Sequence, residues 1–224
     1  DEFVRHTLWR NFYDPYEWAW RDGRSRWDIL DVVRMTRALR PEGINWPIDD
    51  KGAPTNRLEL LTKENGIAHE SAHDALSDVD ALIAVTKLIK AKQPQLYSYL
   101  LTLRDKKAVQ TLVNLETKQP FVYTSGRYDM EHAKTTVAFP LTAGKNNNVV
   151  VYDLRYDPTE FVDLSQKELA AKLYATWEQR QEPGFVKLPV KELQYNRAPA
   201  VAPLSVLTKD DGWEKIHLSP DVVE

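Results

Sequence analysis

From residue 25 onward the apolar positions recur every third or fourth residue. Ile29, Leu30, Val33 and Leu39 make one helical face, opened by Ser25 with Asp28 three positions on and closed before Pro41. A shorter helix is predicted from Asn56 to Lys63, with Asn65-Gly66 as a left-handed stop. Ser71 to Asp74 forms a second capping sequence. The apolar period behind it predicts a long helix to Lys92, stopped by Pro94, and one more helix is expected from Gln95 through Leu112. Beyond that point the period changes. Phe121 to Tyr123, Thr135 to Phe139 and Val149 to Leu154 read as strands, with Gly144 to Asn148 as a hairpin turn. A capped helix from Ser165 to Trp177 interrupts them, and Pro189 to Tyr195 and Ala198 to Leu207 read as extended. The expected organisation is a helical half, residues 1–93, followed by a β-rich half, residues 94–224.

The 224 residues, 42% of them hydrophobic, are enough for one large cored domain or two small ones. A net charge of −3 excludes a uniformly basic nucleic-acid binder but leaves room for a local basic groove. The absence of cysteine excludes disulfides, thiolate zinc sites and cysteine nucleophiles. It is compatible with a reducing cytoplasm, the expected localisation. No apolar run approaches the length of a membrane span and no signal peptide opens the chain, so no membrane partner is expected. The chain opens on Asp1 and closes on Pro220 to Glu224 without start or stop signals, so both ends read as cuts in a longer protein.

On a helical projection Ala75, Asp78, Leu82, Val85 and Ile89 share one stripe, and Asp78 is its one polar member. A carboxylate on a core-facing stripe is costly unless it is paired or bound to metal. His73 sits at the mouth of the same helix and can face the same cleft. An acid that holds a hard cation, beside a histidine that takes a proton from water, is a hydrolytic arrangement. The spacing equally admits Asp78 at the edge of the stripe, or salt-bridged to an arginine of a neighbouring helix. Two other chemistries rank lower. His69 and His73 as a metal pair are disfavoured because His69 precedes the cap. An HD-type phosphohydrolase, suggested by His73-Asp74, needs an all-helical domain, whereas His132 and His217 fall in the half that reads as strands.

His73, four residues, then Asp78 matches the last motif of the DEDDh 3′→5′ exonucleases. The wider context is more specific: Arg10-Asn11-Phe12-Tyr13-Asp14-Pro15-Tyr16, Ser25-Arg26-Trp27-Asp28, Ala38 to Pro47, Arg57-Leu58-Glu59, Asn65-Gly66-Ile67 and Ala72-His73-Asp74-Ala75. Over residues 1 to about 104 the chain resembles the bacterial exonuclease I family, with only patches such as Val190-Lys191 beyond. The resemblance implies an α/β plus β organisation: the C-terminal helical part of a ribonuclease-H-like exonuclease domain, then an SH3-like β domain with helical insertions. A further C-terminal helical domain would lie beyond Glu224. It implies processive 3′→5′ degradation of single-stranded DNA to 5′-mononucleotides. It also implies two Mg2+ ions, with Mn2+ as a substitute, held by four acids of which Asp78 is one, and His73 as general base. The Asp-x-Glu of the first motif is missing, and Asp1-Glu2 matches the tail of the second, so hydrolysis by this chain alone is not expected. The alternative is a non-catalytic single-strand-binding or scaffold piece. Single-stranded DNA and single-strand-binding protein are the implied partners, and a monomer the implied state.

The first fifty residues carry eight arginines, no lysine and five of the seven tryptophans. Guanidinium forks match phosphate and aromatic faces stack bases without regard to sequence. Arg5, Tyr16, Trp20 and Arg34 are the candidate strand contacts. Arg57, on the approach to His73, resembles a substrate-binding arginine of the family; its bland role is a salt bridge to Glu59 or Glu64. Trp18 and Trp27 are expected in or near the core, and Arg21, Arg24 and Arg37 on a solvated face.

Overall fold

The computed structural model describes residues 2–69 and 74–223. Ahead of the first strand come α1 (Glu2–Arg10), α2 (Ile29–Leu39), α3 (Leu58–Glu64) and α4 (Ala75–Lys92) of the helical half, and α5 (Pro94–Thr102) and α6 (Lys106–Leu112) beyond residue 93. Helix α2 starts later than the Ser25 signal predicts. Asp28 is the cap, accepting the Leu30 N–H at 2.9 Å, and residues 24–28 stay extended. Its buried face, with Val32, Val33, Met35, Thr36 and Leu39, lies at the centre of the molecule. Pro94 does not merely stop α4; it occupies the first turn of α5, where its missing N–H costs nothing. The single helix expected over 95–112 is two. The chain turns at Leu103 and Asp105 recaps α6 by accepting the Lys107 N–H at 2.9 Å.

The second half is built on β1 (Phe121–Thr124), β2 (Thr135–Ala143), β3 (Asn148–Asp153), β4 (Val190–Gln194) and β5 (Ala200–Pro203), with α7 (Thr159–Val162) and α8 (Gln166–Leu173) inserted between β3 and β4, and α9 (Gly212–Lys215) near the end. The five strands form one antiparallel sheet in the order β4-β3-β2-β1-β5. The predicted turn joins β2 to β3, with Asn146 and Asn147 at positive φ, the residues best suited to it after glycine. A register shift between Pro140 and Thr142 bends β2. The capping box predicted at Ser165 and Glu168 is present at the start of α8, which ends at Leu173, short of Trp177. Beyond Pro203 the expected extended run becomes a 3-10 turn over Leu204–Thr208.

One apolar cluster runs through both halves. It joins Val32, Leu39, Leu61, Val85 and Leu100 to Phe121, Val137, Val201 and Ile216. Arg37 fastens the loops over it and is no solvated residue. It donates to Thr55 O, to Pro47 O at 3.1 Å and to Asn56 Oδ1 at 3.2 Å, and lies over the Trp46 ring. Trp27 is partly buried against the core and Trp18 is half-buried, as expected. No helix among the described residues is long and apolar enough to cross a membrane.

Candidate functional site

Asp74 caps α4 by accepting the Ser77 N–H at 3.2 Å, which sets Asp78 in the first turn, where the helix dipole favours a negative charge. The buried row of α4 is Ala81, Val85 and Ile89, and Asp78 continues it by one step outward. The expected stripe is thus rotated: Ala75 is exposed and Leu82 is 41% exposed, but Asp78 remains on it. The Asp78 carboxylate accepts a hydrogen bond from His69 Nε2 at 2.9 Å. His69 is buried, and its Nδ1 lies 3.3 Å from Thr62 Oγ1 on α3. The imidazole therefore bridges α3 to α4 and orients the carboxylate, a role that nothing in the periodicity of its loop marks. The Asp78 side chain is 43% exposed, so it is held in position and still open to solvent. His73 lies outside the described residues. No group of three or more acids or histidines suited to a metal ion occurs among the described residues, so Asp78 by itself falls short of a metal site.

A second feature lies at the seam of the two halves, a cavity of about 270 Å³. Arg5, Tyr16 and Trp20 line it together, three of the contacts proposed from sequence. The Arg5 guanidinium sits 5.1 Å from the Tyr16 ring centroid, and Tyr16 and Trp20 are 57% and 62% exposed. Arg24, Arg26 and Arg104 add guanidinium groups; Arg24 is exposed, as expected, and pairs with Asp22 at 2.7 Å at the rim of the cavity. The far wall comes from the β half, at Asn196 and Ala198. Arg104 occupies the turn between α5 and α6 and donates to Gly23 O at 3.3 Å. It was not among the contacts proposed from sequence, because the run from Gln95 through Leu112 read as one helix and not as a turn at Leu103.

Arg34 and Arg57 stand apart from this cavity. Arg34, on α2, is ion-paired to Asp31 at 2.6 Å. Arg57 stands just before α3, its side chain 63% exposed and paired with Glu59 at 2.5 Å, the bland role named for it. His132 and His217 stack edge to face at 5.9 Å beside the sheet, and the strand-rich second half removes the all-helical frame an HD-type site requires.

The architecture defines a class: an SH3-like antiparallel sheet with a helical insertion, packed on a helical half that presents an arginine-lined seam. Residues 104–224 match the sequence model described as the Exonuclease I SH3-like domain, and the chain belongs to that family. It is 44% identical over 209 residues to exodeoxyribonuclease I of Haemophilus influenzae, covering 92% of this chain and 44% of that protein. It is 42% identical over 213 residues to that of Escherichia coli, covering 94% and 44%. Among solved structures, E. coli exonuclease I in complex with a dA16 oligonucleotide superimposes with a TM-score of 0.90 at 38% identity, covering 99% of this chain and 47% of that one. The solved ExoI/SSB-Ct complex matches with a TM-score of 0.87 at 38% identity over the same shares. The chain thus spans about half the length of the relatives it matches. The relatives support a helical part joined to an SH3-like β domain, and a nuclease family.

Proposed function

We propose that this chain is part of a 3′→5′ exodeoxyribonuclease that degrades single-stranded DNA to 5′-mononucleotides in repair and recombination. The observation that carries this reading is the seam cavity, where guanidinium groups and exposed aromatic faces converge from both halves. That combination suits a single strand, whose phosphates take the cations and whose bases take the rings. The relatives' name supplies the hydrolytic half of the reading.

In this reading the helical half, to about residue 93, forms one side of the catalytic cleft and the SH3-like half closes the strand groove. His73 takes the proton of the attacking water. His69 holds the Asp78 carboxylate in place as one ligand of a divalent ion, Mg2+ or its substitute Mn2+, and the remaining carboxylates come from the part of the relatives' length this chain does not span. The ion, when bound, supplies electrostatic stabilisation of the attacking and leaving oxygens. Arg5, Tyr16, Trp20 and Arg34 hold the strand, and Arg57 exchanges Glu59 for a phosphate near the cleft. Single-strand-binding protein is the protein partner, in keeping with the ExoI/SSB-Ct relative, and the protein acts as a cytoplasmic monomer. The test is a ladder assay on 5′-labelled oligo-dT with the full-length protein. His73→Ala is expected to slow release by about 100-fold or more; an unchanged ladder refutes the general-base role.

A second reading, a strand-binding piece without hydrolysis, is favoured by one observation. The seam cavity offers cations and aromatic faces that hold a strand whether or not a bond in it is cut. Strand binding that survives chelation, with no ladder from the full-length protein, would establish it.

A further inference from the structure

His217 stands where a glycine is the usual residue. Helix α9 ends in a Schellman turn, with the Leu218 N–H donating to Trp213 O at 3.0 Å and the His217 N–H to Glu214 O at 2.9 Å. The residue that closes such a turn is left-handed, and His217 takes a φ of 53° there. A Cβ in that conformation crowds the following carbonyl, a cost that glycine avoids. The His217 imidazole meets that of His132 edge to face, with ring centroids 5.9 Å apart. His132 lies in the loop between β1 and β2, and the two residues after it, Ala133 and Lys134, are left-handed as well, at φ 50° and 58°. Backbone strain thus flanks the contact on both sides, and such strain persists only where the surroundings hold it.

Arg155, in the turn after β3, pins the two sides together. Its guanidinium donates to Ile216 O at 2.7 Å, to His217 O at 2.8 Å and, at the start of β2, to Thr135 O at 3.1 Å. Leu218 and Val222, past the turn, pack on the core. The residues after α9 are therefore docked by the ring contact, the Arg155 guanidinium and these apolar side chains. One atom of the contact is left unsatisfied: His132 Nδ1 is buried with no hydrogen-bond partner. A neutral imidazole can leave that nitrogen unprotonated. An imidazolium cannot, since both its nitrogens carry N–H groups, and a buried donor without an acceptor is costly. The charges that act on His132 come from three elements. Arg155 and His217 oppose a positive ring; Glu131 and Asp129 of its own loop, and Asp153 at the end of β3, favour one. Burial first, then Arg155, holds the His132 pKa below the ordinary imidazole value of 6.5.

We propose that the His132–His217 contact is an acid-released latch, which docks residues 217–223 on the SH3-like sheet while the His132 ring is neutral and frees them when it takes a proton. The new N–H must reach water, and the His217 ring is the part of its cover that can move aside. Release also lets His217 leave the left-handed region and regain an ordinary backbone conformation. In the released state His132 titrates as an ordinary imidazole; in the docked state its pKa is lower. Between those two values the released state binds more protons, so docking weakens as pH falls through that window and is strongest above it. The latch rests on no ligand and is independent of the strand-binding reading.

The chain contains no cysteine, so Ser219→Cys gives a unique attachment point for a nitroxide, at an exposed residue just past His217. Spin-label spectra of the 224-residue chain are recorded from pH 8 to pH 4.5. The label is expected to be immobile above pH 7. On acidification a mobile component grows, its ratio to the immobile one rising by up to about tenfold per pH unit, the slope of one proton. A second label at Gln110→Cys, exposed on α6, stays unchanged over the same range and separates release from unfolding. His132→Gln is expected to abolish the step and leave the Ser219 site immobile throughout. His217→Gly does the same by another route: it relieves the backbone and uncovers the His132 ring, which then titrates in place. A Ser219 site that stays immobile down to pH 4.5 in the parent chain overturns the latch. So does a step that persists in His132→Gln, and so does mobilisation of both labelled sites together.

Discussion

Lys191 is held at a pKa of about 8 in the fold, against 10.5 for the free side chain. Between those values the unfolded chain binds the extra proton, so stability climbs as pH rises from 8 toward 10.5, and below pH 8 the fold carries the full cost of a buried charge. Lys191→Met removes that cost. It is expected to stabilise the chain at pH 7 by about 1–3 kcal/mol and to flatten the rise between pH 8 and pH 10, both read from urea melts. A variant that melts earlier at pH 7 would make the lysine a structural prop. Arg37 is the opposite case. Its guanidinium satisfies the carbonyls of Thr55 and Pro47, and Arg37→Met is expected to cost about 2–3 kcal/mol by the same melts, with strand binding unchanged. Neither role is legible in sequence. Arg37 reads as one more arginine of a charged segment, and Lys191 stands out only as part of the Val190-Lys191 patch, until α2 is laid against the sheet.

Helix ends carry their own consequences. Asp74 caps α4, and Asp74→Ala is expected to cost about 1 kcal/mol and to loosen the first turn, where Asp78 meets His69. The check is a melt together with the chemical shifts of the His69 ring. Gly212 opens α9 with no room for a side chain. A Cβ there would stand 2.7 Å from the Leu207 Cα, and backbone cannot move aside as a flexible side chain does. Gly212→Ala is expected to cost about 1–3 kcal/mol in the same assay. The elements most legible in the sequence are those with a strong period and a local stop. Strands β1, β3 and β4 and the α8 capping box lie within a residue or two of expectation, and β2 starts where expected but runs four residues further, to Ala143. The break between α5 and α6 shows in the sequence as the loss of the row begun by Leu96, Leu100 and Leu103, which Lys106 and Lys107 would have to continue. The α4 stripe came out rotated because Ala81, a small residue, packs closely where Leu82 had been expected to fill the core. The place of Asp78 in line with an apolar row was legible; its partner His69 was not. The cavity was not, because Arg104 and Asn196 reach it only when α5, α6 and the turn after β4 meet.

The whole chain unfolds as one body if its core is one body. An expected junction near residue 93 suggests two independent units, yet α2 packs on α4 and α5 on one side and on β1, β2 and β5 on the other. Met35 and Leu39, fully buried on α2, belong to the same cluster as Phe121, Val201 and Ile216. Polar fasteners cross the same seam: Arg40 donates to Val206 O at 3.3 Å, and Lys215 pairs with Glu42 at 3.0 Å. Cutting at 93 removes from the sheet the apolar face of α2 that covers it, about 1.5–3 kcal/mol for each large side chain exposed. That loss is comparable to the total stability of a small domain. Calorimetry of the 224-residue chain is therefore expected to show a single transition, with calorimetric and van't Hoff enthalpies equal. A 94–224 piece is expected to melt far earlier or not to fold. Two resolved transitions, with the piece reproducing the upper one, would mean that the halves are held together only at their surfaces. The seam cavity would then be a hinge that opens as the halves separate, and not a groove of fixed width.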